Sequence, residues 1–106
     1  MIIVTSETIA NKRIVKTLGL VRGNTVRARH IGKDIMASFR NIVGGEVHEY
    51  AKLIAESREQ TLDRMVAEAE SLGANAILAT RFTTSVMMGG AAELLAVGTA
   101  VIVEDA

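Results

Sequence analysis

The chain has 106 residues, of which 49% are hydrophobic, and its 12 basic and 12 acidic side chains cancel to a net charge of zero. It has no cysteine, so disulfides, thiolate metal sites and cysteine nucleophiles are excluded. The rest of the composition fits one soluble domain over residues 1–106, with a modest core built almost without aromatic rings.

The charge is unevenly placed. Residues 1–45 hold eight basic and two acidic side chains, and residues 46–106 hold four basic and ten acidic ones. Such asymmetry reads either as an anion-binding half or as two halves that face each other within or between subunits. The scarcity of aromatic platforms for bases favours the second reading, so no specific nucleic-acid partner is expected.

The opening "MIIVTSETIANKR" has neither the charged start nor the long apolar run of a signal peptide. No later segment reaches the roughly twenty apolar residues of a spanning helix. A cytoplasmic protein without a membrane partner is expected. "IVKTLGLVR", Ile14 to Arg22, reads as a strand that Gly23-Asn24 punctuates, and "TVRARH" continues it after a bulge or turn. Ile35, Met36, Phe39, Ile42 and Val43 fall at helical spacing, which predicts a short helix from about Lys33, ended by Gly44-Gly45.

The strongest periodic signal follows. Val47, Tyr50, Ala51, Ile54, Leu62, Met65, Ala69 and Leu72 share one stripe, predicting a helix from about Glu46 to Leu72, with Gly73 as its stop. Such a helix is roughly 40 Å long, whereas a compact chain of this size has a radius of gyration of about 13 Å. Cover from beyond the subunit is therefore expected. "ANAILATRFTTSV" and "ELLAVGTAVIV" read as strands joined through Gly89-Gly90 as a hairpin. The last strand is apolar on both alternating sets and so requires cover on both faces. The order β-α-α-β-β predicts an α+β fold, an antiparallel sheet covered by a short and a long helix.

Few side chains suggest chemistry. Arg58 falls among Ala51, Ile54, Leu62 and Met65 on the wheel, where a buried guanidinium needs a partner; Glu93, inside an apolar strand, is the first choice. The same arginine could instead anchor an anion in a cavity. Glu46, His48 and Glu49 are weak metal candidates, because near neighbours on a helix diverge by about 100° per residue and "EVHEY" is not "HExxH". Met87-Met88 suits packing better than a soft metal, lacking a third soft ligand. Gly44-Gly45 opens a helix but carries no phosphate-loop pattern, and Glu46 would repel an anion there, so a bend is the reading. No serine sits in a nucleophile elbow, and no cofactor is expected.

Taken together, "DIMASFRNIVGGEVHEY", "GANAI" and "GTAV" resemble the YbjQ-like family of small bacterial proteins, which carries a heavy-metal-binding label. The resemblance covers nearly the whole chain. It rests on Asp34, Arg40, Ile42, Val43, Gly44, Gly45 and Tyr50, and further on Arg58, Gly73, Ala74, Ala76, Gly98, Thr99, Ala100 and Val101. Val97 departs from a tyrosine often found before "GTAV" in that family. The resemblance implies a dodecin-subunit-like fold assembled into a ring, a pentamer, and implies no reaction. The expectation is a non-catalytic homo-oligomer binding a small, anionic ligand at subunit interfaces, with Arg40, Gly44, Gly45, Tyr50, Arg58 and Glu93 at the ligand or seam. The alternatives are an enzyme using Arg40, Arg58 and Glu93 at a junction, or a cation-binding protein using Glu46, His48 and Glu49.

Overall fold

The computed structural model describes residues 1–27, 47–86 and 92–106, with side chains described for residues 1–26, 54–85 and 92–106. Within these, the elements follow in the order β1 (Ile2–Ile3), β2 (Lys12–Arg27), α1 (Val47–Ser71), β3 (Ala76–Val86) and β4 (Ala92–Asp105). The short helix expected from Lys33 and the glycine pair at 89–90 lie outside the described residues.

The sheet order is β1-β3-β4-β2, with β4 antiparallel to both of its neighbours. β1 pairs parallel with β3, Ile2 opposite Ala76 and Ile3 opposite Ile77. The sheet is therefore mixed, which corrects the expected antiparallel one. The long stretch between β1 and β3 gives the chain the crossover that a parallel pair needs.

β2 does not stop at Gly23-Asn24 but runs 16 residues to Arg27. Its register shifts between Ile14 and Lys16 and between Thr17 and Gly19, the mark of inserted residues that sharpen the local twist. At about 3.3 Å per residue it spans ~53 Å, nearly all of the 56 Å longest dimension of the fold. α1, with 25 residues, is only about 37 Å long. The helix cannot cover the whole strand.

The end of α1 is fixed locally. Gly73 takes φ +86°, its N–H donates to the Glu70 carbonyl at 3.0 Å, and the Ala74 N–H donates to the Ala69 carbonyl at 3.1 Å. This is the paired-bond stop that favours glycine after a helix. The line of α1 against the sheet is Ser57, Thr61, Met65 and Ala69, all buried. Met65 and Ala69 pack with Val21, Ile77, Ala96 and Ala100.

A second cluster lies on the other face, where Ala76, Leu78, Val101 and Val103 meet Val4 and Ile9 of the amino-terminal segment. β4 is thus covered on both faces over its last half, as its pattern requires, and the second cover comes from the same chain. Among the described residues, no helix is long and apolar enough to cross a membrane.

Candidate functional site

Arg40, Gly44, Gly45 and Glu46 lie outside the described residues, as do the side chains of His48, Glu49 and Tyr50 at the start of α1. Arg58 and Glu93 are described, and they are not brought together. The Glu93 carboxylate accepts from Asn24 Nδ2 at 3.1 Å. Arg58 is exposed within the subunit, which corrects its expected burial. The two ion pairs among the described residues are Lys12–Asp105 and Arg13–Glu104, which fasten the start of β2 to the end of β4.

The reason is the way α1 crosses the sheet. It lies over β2, where hydroxyl groups meet at its contact line. Thr25 and Thr61 share a hydrogen bond of 2.7 Å between their hydroxyls, and Thr61 Oγ1 donates to the Ser57 carbonyl at 2.8 Å. Thr61 and Ser57 therefore occupy the sheet-facing line, and Arg58 is turned away from it toward β3. Polar groups at the rim fix this placement. The Arg22 N–H donates to Glu68 Oε2 at 3.2 Å, and Arg64 Nη1 donates to the Asn24 carbonyl at 2.5 Å. Both backbone groups belong to the edge strand, so α1 side chains close an edge that would otherwise stay unpaired.

With α1 drawn over β2, a groove of about 640 Å³ opens between α1 and β3, lined by Arg58, Leu62 and Phe82 together with Glu56, Glu59 and Asp63. Phe82 is 45% exposed there. One guanidinium against three carboxylates gives the groove a net negative lining. The hydroxyl line was not visible to a count of apolar positions, and Phe82 was legible only as part of a strand. The alternation of Val21 with Thr25 on one face of β2 was the available signal for Thr25.

Over its other half, the face of the sheet opposite α1 has no cover among the described residues. Val21, Gly23 and Thr25 point to the helix, so alternation puts Leu20, Arg22, Asn24 and Val26 on the far side. Leu20 is 67% and Val26 49% exposed, and Leu95 and Val97 beside them are half-buried. Arg22 and Arg81 flank Val97 in one cross-strand row. Arg81 Nη1 donates to the carbonyls of Thr5 and Thr80 at 2.7 and 2.8 Å, which pins the amino-terminal segment where its cover ends.

One titrating group departs from its ordinary behaviour. A hydrogen bond from Lys12, and then the charge of that ammonium, hold the Asp105 carboxyl below the usual aspartate range. Among the described residues, no three His, Asp or Glu side chains gather as a metal site would require.

Residues 1–104 match the family model YbjQ_1, described as "Putative heavy-metal-binding". A UPF0145 protein of Methanosarcina acetivorans is 56% identical over 101 residues, 95% of each chain. One from Dehalococcoides mccartyi is 57% identical over 104 residues, covering 98% of this chain and all of the relative. A solved structure of a Pediococcus pentosaceus protein of unknown function, of the DUF74 family, superposes with a TM-score of 0.65 over 98% of both chains at 13% identity, a likeness of fold alone. The family blocks read in the sequence, the match over residues 1–104 and relatives of this closeness place the chain in the YbjQ-like UPF0145 family.

Proposed function

We propose that the chain is a non-catalytic subunit of a homo-oligomeric ring, a pentamer, which holds a small ligand at the junctions between subunits. The observation that carries this reading is the half-covered sheet. Leu20 and Val26 stand exposed beside Leu95 and Val97 with no described element over them. Four apolar side chains left part-exposed on one face, set among Arg22, Asn24 and Glu93, are costly for a small domain to leave in water and mark an interaction surface. On this face the amino-terminal cover, Val4 and Ile9, reaches only the last half of β4, so the gap belongs to the fold and not to one side chain.

Arg58 supplies a guanidinium at the groove for an anionic group on the ligand. Glu56, Glu59 and Asp63 beside it disfavour a ligand that is anionic throughout. The enzyme reading loses support because Glu93 is engaged by Asn24 and does not meet Arg58. Native mass spectrometry of the protein purified from its own cells tests the proposal. It should give a ring mass with retained small molecules, and a monomer at tens of micromolar would sink it.

A further inference from the structure

The groove and the open sheet face are on opposite sides of the sheet, and their chemistry matches. The groove offers Leu62 and Phe82 framed by Glu56, Glu59 and Asp63, with Arg58 as its one cation. The open face offers Leu20 and Val97 framed by Arg22 and Arg81, with Glu93 held by Asn24 farther along it. Each surface is apolar at its centre and charged at its rim, and the net charges of the two rims are opposite. Lys12 and Arg13, the other basic side chains of the described amino-terminal part with assigned partners, already meet Asp105 and Glu104 within the chain. Arg22 has no carboxylate partner among the described residues, and only its backbone N–H reaches Glu68. Within one subunit the two surfaces cannot meet, because the sheet stands between them.

We infer that the groove side of α1 in one copy covers the open sheet face of the next, with Glu59 and Asp63 facing Arg22 and Arg81. This rests on the oligomer reading above and specifies its contact. It is a head-to-tail contact between two different surfaces, which closes into a ring when the rotation between copies allows it. The same contact removes Leu20 and Phe82 from water together and lets the charged rims fix orientation. It also accounts for the uneven charge of the chain. Part of the basic amino-terminal charge is matched inside the subunit, and part is matched across the junction by the acidic helix.

Because the chain contains no cysteine, introduced thiols report on the contact cleanly. A chain carrying Leu20→Cys and Glu59→Cys, treated with a short bismaleimide under native conditions, should give a ladder of covalent dimers, trimers and higher species. Either substitution alone should leave the chain uncoupled, since like surfaces do not meet. Separately, Arg22→Glu should raise the dissociation midpoint at least about tenfold, and adding Asp63→Lys in the same chain should recover most of that loss. Coupling of a single-thiol chain, absence of a ladder from an assembled double variant, or failure of the charge exchange to recover assembly each overturns the inference. In those outcomes the unmodified protein is still oligomeric and the broader reading survives. An unmodified protein that is monomeric removes both.

Discussion

Gly23 and Thr61 meet in close backbone approach where α1 lies on β2: a Cβ on Gly23 would overlap the Thr61 carbonyl oxygen and would stand 2.5 Å from the Met65 amide nitrogen. Glycine is therefore what lets α1 sit on β2, and the hydroxyl line and both core residues of the helix depend on that separation.

Gly23→Ala is expected to destabilise the subunit by about 1–3 kcal/mol, because the obstructing atoms are helix backbone and cannot rotate away. Gly98→Ala also meets a close neighbour, but there the nearest atom is the Ile77 Cγ2 methyl at 2.5 Å, which a side-chain shift can move. Its cost should lie at the lower end of the same range. Chemical denaturation of both variants checks the order, and equal or reversed losses would contradict it.

Thr61→Val should cost about 1–3 kcal/mol, since it leaves the buried Thr25 hydroxyl with only a long 3.4 Å contact to the Ser57 carbonyl. Replacing Thr25 by valine as well removes the stranded partner. The double variant should lose less than the sum of the two single losses. Additive losses in a double-mutant cycle would show that the two hydroxyls are not coupled.

The Lys12–Asp105 pair predicts a pH effect with a definite sign. The Asp105 carboxyl is depressed in the folded state, so its contribution is present above the ordinary aspartate pKa of about 3.9 and is lost as pH falls through the folded value. A carboxyl titration followed by NMR should place Asp105 below that ordinary value. Lys12→Met should move it back up. Because the pair is exposed, salt should weaken the depression. An Asp105 midpoint indifferent to both changes would rule out the pairing.

Calorimetric titration with Zn²⁺, Cu²⁺ and Ni²⁺ should find no site tighter than about micromolar, a binding free energy of roughly 8 kcal/mol. Thiolate ligands are absent, and Glu46, His48 and Glu49 are spaced too closely along the chain to converge on one ion from a helix. A stoichiometric nanomolar site would reverse this and give the family's label a chemical basis.

The long helix was legible because its apolar positions recur at helical spacing and glycine stops it; the structure ends it at Ser71, one residue before the expected Leu72. β3 and β4 were legible from apolar runs of β-branched residues. β1 was not, because two residues carry no period and a parallel pair depends on a partner 74 positions away. Gly23 was read as punctuation, since a glycine that admits a neighbouring backbone looks the same in sequence as one that turns the chain. Arg58 shows the limit of a helical wheel. The wheel gives the angle around the axis, but not the side to which the helix leans. Here Thr61 and Ser57, polar residues that an apolar count ignores, take the sheet-facing line and leave Arg58 at the groove. The candidate site was thus legible as residues but not as contacts.

The central position of β4 has a consequence for the order of synthesis. β2 and β3 are not paired with each other; each is paired with β4, and the pair Lys12–Asp105 joins positions 93 apart. While the chain is being made, β2 is complete at Arg27 but its partner begins only at Ala92, a wait of about 3 to 13 s at 5–20 residues per second. During that time a 16-residue strand rich in valine, leucine and isoleucine has no ladder to join. Contacts this distant also make folding slow once the chain is finished. The nascent protein therefore has to be kept from pairing with other chains until its last strand arrives, and mutations that weaken β4 should reduce yield before they reduce the stability of what folds.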